Sequence, residues 1–397
     1  MHSPKHESKS SGWLTRGVFG IGLASLFSDW GHEIATALLP ILLASFSAPA
    51  YALGLIEGIA DGLSSFAKLA GGWIADRPNL RKPTAAGGYL VVALSTFAFG
   101  LVHSWPAILF FRAFGWLGRG AKGPSKDALL ADAVPPEDLG RAFGFERTMD
   151  TIGAIAGPLC ATALVAATSV QSAMRWTLLP GIAAALAFTF LVPRGKQAVG
   201  HRPLAFFESL RQMPPQFRRY LVGVTVFGLG DFSHTLLILR AAQILGARYG
   251  SARAATLAVA LYTLHNIIYA AGSYPAGALG DRLGKRGLLA SGYALAGLMS
   301  LGFILAPKTL LSLAALFSVA GLYLAIQDSL EKSLAAELLP VQVRGSGFGV
   351  LATLNGIGDF ASSIIVGFLW SSVSPAAGFI YAAVLCLTGA GIIYRVR

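Results

Sequence analysis

Charge is what this chain has least of. Asp, Glu, Lys and Arg make up 13% of its 397 residues, against 54% hydrophobic residues. A water-soluble domain cannot hide so large an apolar fraction behind so thin a polar exterior. Cysteine is scarcer still: Cys160 and Cys386 fall inside apolar runs in opposite halves, so no disulfide is expected and their spacing carries no metal motif. The signatures of soluble catalysis are missing as well. Gly123 is followed by Pro124 where a phosphate loop needs Lys, and Thr36 stands where a zinc-protease motif opening at His32-Glu33 needs its second His. Gly118, Gly120 and Gly123 formally match a dinucleotide fingerprint, but no strand precedes them, and they read as small-residue packing between helices. No enzyme activity and no cofactor are expected.

What the chain does have is apolar length. Runs of about 20 residues, enough to cross a bilayer as helix, recur throughout. Read against charged and Pro/Gly punctuation, they give about 12 spans: 14–45, 50–75, 84–103, 105–131, 141–167, 173–193, 219–247, 252–280, 287–306, 308–336, 344–372 and 374–394. The expected fold is an all-α membrane protein. A polar connection at 194–218 separates a first six-helix bundle (14–193) from a second (219–397), and residues 1–13 form a polar tail. The net charge of +12 is concentrated in alternate connections, around Arg16, Arg77 to Lys82, Arg194 to Arg219, Arg282 to Arg286 and Arg395. That asymmetry places both termini in the cytoplasm of an inner membrane. A nucleic-acid role needs a soluble basic face with aromatics, which is absent.

The halves repeat one another. Gly72, Asp76 and Arg77, with Arg81 and Lys82, echo Gly277, Asp281 and Arg282, with Lys285 and Arg286. Arg141-Ala-Phe-Gly144 echoes Arg344-Gly-Ser-Gly347, and Asp29-Trp-Gly-His32 echoes Asp231-Phe-Ser-His234. On these repeats the chain resembles the major facilitator superfamily over essentially its whole length. The first-half loop departs from the family pattern, because Pro78-Asn79-Leu80 adds one residue. The resemblance implies a carrier built from two pseudo-symmetric bundles around a midplane cavity, acting as a monomer on a small molecule. It also links Arg112, in Arg112-Ala-Phe-Gly115-Trp-Leu-Gly118, to proton coupling. Gly153, Gly157 and Pro158 reproduce part of the antiporter-type glycine pattern on the fifth helix, whereas Ala161 and Thr162 stand where further glycines are expected.

Ionisable side chains inside spans are costly, and so are functional candidates. Asp29, His32, Glu33 and Thr36 form one stripe on the first span, and Arg112, Arg119 and Lys126 keep a seven-residue spacing on the fourth. Two carboxylates one turn apart cannot easily both ionise in a low dielectric. Asp29 and Glu33 are therefore expected to exchange a proton, with Arg112 as competing partner. His32, Asp61, Arg119, Asp150, Asp231, His234 and Asn355 are expected to line the substrate cavity. The bland alternative is structural ion pairing, with Arg147 to Asp150, and Lys126 or Lys122 to Asp127 or Glu146, as its best instances. Lys126 and Asp127 are alternatively placed at the inner interface, where they snorkel. Asp29, His32, Glu33, Asp231 and His234 leave a divalent metal ion open as substrate, and the basic stripe leaves an organic anion open. Asp76, Arg77, Asp281, Arg282 and Arg286 are expected to gate the cytoplasmic side by contacting helix ends. The driver is expected to be protons and the direction export of a small organic compound.

Overall fold

The computed structural model describes residues 12–48, 50–194, 206–306 and 308–396. The first bundle consists of α1 (Arg16–Ser45), α2 (Ala50–Ala75), α3 (Pro78–Ala98), α4 (Trp105–Asp132), α5 (Leu139–Ala167), α6 (Val170–Trp176) and α7 (Leu178–Leu191). Between the bundles, within the expected polar connection, lies the short α8 (Phe206–Arg211). The second bundle follows as α9 (Pro215–Gly228), α10 (Thr235–Tyr249), α11 (Ser251–Leu283), α12 (Lys285–Leu305), α13 (Leu310–Leu338), α14 (Arg344–Ser372) and α15 (Pro375–Arg395). The pairs α6/α7 and α9/α10 each make one interrupted span, so the described helices amount to twelve crossings in two six-span bundles. By length and composition alone, six helical stretches among the described residues qualify as membrane-crossing. Several of the others carry in-span charge that faces inward, as with Asp29 in α1 and Arg112, Lys122 and Lys126 in α4, all buried.

Glycine decides how closely the helices approach. A side chain at Gly153 would strike the Leu26 carbonyl, and one at Gly157 would strike Glu33, so these two let α1 lie directly on α5. Gly118 and Gly120 do the same for α4 against α3 and α2. Two glycines of the near-match to a dinucleotide fingerprint are thus packing, whereas Gly123 meets nothing within 4 Å and lines the central cavity.

The seventh crossing differs from the sequence expectation. It is not one helix over 219–247, because residues 229–234 are unwound between α9 and α10. Two features permit the break: Gly228 packs against Gly358 of α14, and serines satisfy the opened backbone. Ser362 donates to the Asp231 carbonyl at 2.7 Å, and the Ser233 N–H donates to Ser363 at 3.0 Å. Without such partners the freed groups would each cost several kcal/mol in a membrane.

The bundles meet along α5 with α11 and α13, and along α2 with α14. At the face bearing the basic loops the approach is backbone to backbone. A Cβ on Gly277 would strike the Gly140 carbonyl, and one on Gly72 would sit 2.7 Å from that of Gly345. That face is closed.

Candidate functional site: a charged cavity behind two carboxylate latches

Behind the closed face lies a cavity of about 630 Å³, lined by α1 to α5 from one bundle and by the unwound segment, α11, α13 and α14 from the other. Its size falls within the ~300–1,000 Å³ typical of sites for drug-sized ligands. Of the residues expected to line it, Arg119, Asp150, Asp231, His234 and Asn355 do. His32 does not. It is buried against the Trp116 ring, with centroids 4.6 Å apart, and its Nε2 lies 3.4 Å from the Thr36 hydroxyl. The side chain of Asp61 lies outside the described residues.

Of the three residues assigned to proton coupling, Asp29 lines the cavity, whereas Glu33 and Arg112 are not among its lining residues. Asp29 is paired with Arg119 at 3.3 Å. The Arg112 guanidinium stacks on Trp116, 4.2 Å from the ring centre. The base that meets Asp29 is therefore two turns further along α4 than the sequence expectation placed it.

The structural ion pairs expected from spacing are present. Arg147 and Asp150 lie 2.6 Å apart, and Lys126 pairs with Glu146 while staying 3.8 Å from Asp127. Lys126 and Asp127 do not snorkel to the interface; both are buried and line the cavity. Lys122 takes a different role, donating to Ser28 at 2.8 Å with its ammonium 3.9 Å above the Tyr89 ring. Among the described residues three pairs cross between bundles: Arg147 with Asp328 at 3.4 Å, Lys332 with Asp127 at 3.0 Å, and Arg344 with Asp132 at 2.8 Å.

The second-bundle wall depends on groups that ionisable-residue counting overlooked. Tyr323 donates to Asp231 at 3.0 Å and shares a 2.9 Å hydrogen bond with His234. Tyr269 donates to Asp328, and Tyr293 donates to Glu331, which also accepts from Asn355 at 2.7 Å. The periodicity of α13 carried a signal: Tyr323, Gln327 and Glu331 recur every four residues on one face. Among the described residues no group of three or more His, Cys, Asp and Glu is placed to hold a metal ion. His234 instead packs on His265, with ring centroids 4.8 Å apart.

Both loop acids close the basic face in the same way. Asp76 accepts from the Ser346 N–H at 3.1 Å and from its hydroxyl, at the start of α14. Asp281 accepts from the N–H groups of Gly140 and Arg141, each at 2.8 Å, at the start of α5. A helix N-terminus presents unpaired N–H groups and a positive dipole end, which is why a carboxylate fits there. Burial pushes the Asp76 carboxyl up to about 6, against the opposing pull of the Ser346 hydrogen bonds and of Arg81.

The basic partners are not those expected. Arg77 stacks on Trp73, and Arg282 and Arg286 are exposed. Arg81 and Lys285 serve instead. Arg81 reaches Asp132, which also holds Arg344 at 2.8 Å, and Lys285 lies 3.3 Å from Asp281 and 3.0 Å from Glu337. The extra residue in Pro78-Asn79-Leu80 explains the correspondence, since it brings Arg81 into register with Lys285.

The comparisons with known proteins agree with this architecture. The family model described as Major Facilitator Superfamily matches residues 21–246 and 221–397. The chain is 29% identical over 380 residues to an uncharacterized MFS-type transporter of Methanocaldococcus jannaschii, covering 94% of this chain and 93% of that protein. A multidrug resistance protein MdtH of Salmonella typhi is 31% identical over 182 residues, 45% of this chain and 42% of that one. Among solved structures, the human organic anion transporter MFSD10 superposes with a TM-score of 0.74 at 16% identity, covering 95% and 99% of the two chains. A bacterial homologue of the iron transporter ferroportin, in an outward-facing state, gives 0.73 at 16% identity, covering 96% and 98%. With two six-span bundles, a cavity between them and the family model matched in both halves, this chain belongs to the major facilitator superfamily.

Proposed function

We propose that the protein is a proton-coupled secondary carrier that exports a small organic compound by alternating access, as a monomer in a bacterial inner membrane. The observation that carries this is the pairing of a charged midplane cavity with two equivalent latches that, among the described residues, lie on one face. Bundles that rock about such a site expose it to one side at a time. The positive-inside bias makes the latched face cytoplasmic, so the state described here faces outward. Residues 14–193 and 219–397 are then the rocking units, and the polar connection at 194–218 links them.

Proton coupling is assigned to Asp29 and Glu33, one turn apart on α1, with Arg112 and Arg119 as the nearby bases of α4. A proton arriving at Asp29 discharges the carboxylate that holds Arg119 and so changes the charge on the cavity wall. The partial match to a multidrug resistance protein favours export. An organic anion is the second reading, favoured by Lys122, which lines the cavity and has no carboxylate within 4 Å among the described residues.

Purified protein in liposomes with an imposed pH gradient, screened against compound classes, tests the assignment. Asp29→Asn and Glu33→Gln are each expected to lower gradient-driven flux at least ~10-fold while sparing solute counterflow, the signature of lost coupling. Wild-type flux with an unchanged pH profile in Glu33→Gln removes Glu33 from the proton site.

A further inference from the structure

Charge on the cavity wall is divided unequally between the bundles. Among the described residues the first contributes the bases Lys68, Arg119, Lys122, Lys126 and Arg147; the second contributes a single Lys or Arg, Lys332, against Asp231, Asp328, Glu331 and Asp359, with the Lys68 charge acting on Asp359. Most of the first-bundle bases are matched by acids. Arg119 has Asp29, Lys126 has Glu146, Arg147 has Asp150, and the crossing pairs engage Asp328 and Lys332. Two features remain on facing walls. Among the described residues, Asp231, Glu331 and Asp359 have no Lys or Arg within 4 Å, and Lys122 has no carboxylate within 4 Å.

Hydrogen bonds orient the acids without neutralising them. Tyr323 holds one oxygen of Asp231, and Tyr293 and Asn355 hold the two oxygens of Glu331; each carboxylate keeps further acceptor capacity. Gln327 supplies an independent pointer. It lines the cavity on the α13 face that bears Glu331, is 7% exposed, and its Oε1 is buried with no hydrogen-bond partner. A buried acceptor left unpaired is a standing cost that a bound donor removes. Asp231 sits in the unwound segment, the kind of midplane break that carriers use to hold charged groups. Opposite, among the described residues, Lys122 is held by a neutral hydroxyl and a ring face.

A simple cation leaves Lys122 uncompensated, and a simple anion leaves three carboxylates uncompensated. We propose that the cavity binds an amphoteric solute, with its ammonium or guanidinium group against Asp231, Glu331, Asp359 and the Gln327 carbonyl, and its anionic group against Lys122. This rests on the carrier reading above and names its substrate class.

The test uses charge-matched trios on amino-acid, dipeptide and aminomethylbenzoate scaffolds. Each scaffold is presented as the zwitterion, as the cationic carboxamide and as the anionic N-acetyl form. Gradient-driven flux in liposomes is the readout, with thermal stabilisation of the purified protein as a second measure. The zwitterion is expected to half-saturate at least 10-fold below both siblings on any scaffold that is moved. Lys122→Gln is expected to bring zwitterion and cation within about 2-fold of each other, and Asp359→Asn to do the same for zwitterion and anion. Flux that prefers the cation or the anion, or discrimination unchanged in both variants, overturns the amphoteric class and leaves the carrier reading standing. No flux and no stabilisation with any scaffold overturns both.

Discussion

The carboxylate of Asp281, at the end of one bundle's second helix, accepts the backbone N–H of Arg141 at the start of a helix in the other bundle, at 2.8 Å. Its equivalent, Asp76, meets Ser346 in the same way. Each bond spans the boundary that must open when the bundles rock. Asp281→Asn replaces one of the two accepting oxygens with an NH2 donor that faces a backbone N–H, so one bond is lost and a buried donor is left unpaired, a loss of roughly 1–3 kcal/mol. The expected outcome is a 5- to 150-fold shift toward the cytoplasm-open form. Maleimide labelling from the basic face of Ser273→Cys, a residue fully buried beside Gly144, measures it. Equal labelling rates with and without Asp281→Asn would remove the latch.

The Asp76 latch has a pH dependence with a defined sign. Its carboxyl titrates near 6 in the closed state and is taken to return toward its ordinary 3.8 when the face opens to water. Between those values the closed state binds more protons, so acidification favours closure and the help is lost as pH rises through 6. Labelling of Ser273→Cys is therefore expected to slow as pH falls from 7 to 5, after correction for thiol reactivity. Asp76→Asn is expected to flatten that profile, and Asp281→Asn to flatten it in part, because burial pushes the Asp281 carboxyl up as well. A profile of unchanged slope in Asp76→Asn assigns the titration elsewhere.

How far the site was legible in the sequence depended on whether a feature was local. The two loop acids were legible because each stands inside a basic cluster, against the local charge preference. Their partners at the starts of α5 and α14 were foreshadowed by the repeated Arg141 and Arg344 segments. The basic members were misassigned because Pro78-Asn79-Leu80 displaces the first-half register by one. The competition between Arg112 and Arg119 for Asp29 was not legible at all, since bases seven residues apart share a face and only the axial offset of α1 against α4 chooses between them. Tyr269, Tyr293 and Tyr323 were overlooked because they carry no charge at neutral pH, though they orient three of the four acids on the second wall. The break at 229–234 had a signal in Gly228 and Gly230, on either side of Leu229.

The glycine contact at the closed face can be used to trap the opposite state. Gly277→Ala drives a methyl group into the Gly140 carbonyl, with backbone on both sides and no flexible side chain to yield. Closure then requires the helices to separate, which also lengthens the Asp281 bonds. The variant is expected to fold, to label rapidly at Ser273→Cys, and to lose flux at least ~100-fold, in line with ~3 kcal/mol or more against the closed form. Gly287→Ala, where a side chain meets nothing within 4 Å, is the control and should transport normally. Normal flux in Gly277→Ala rules out the tight closed state as a step in the cycle.

The Lys126–Glu146 pair separates structural from functional charge. Both side chains are almost wholly buried, and Ser25 donates to the same Glu146 carboxylate at 2.6 Å. Removing one partner strands the other in a low dielectric, so Lys126→Met or Glu146→Gln alone is expected to destabilise the protein by roughly 3–5 kcal/mol, seen as a lower Tm in detergent. Replacing both, as Lys126→Met with Glu146→Met, leaves no orphan charge and should recover most of that loss. If the pair only ties α4 to α5, the double variant also recovers flux and keeps the wild-type pH profile. A double variant as stable as wild type but with a displaced pH profile would instead place the pair in the proton path, because restored packing leaves changed proton traffic as the remaining cause.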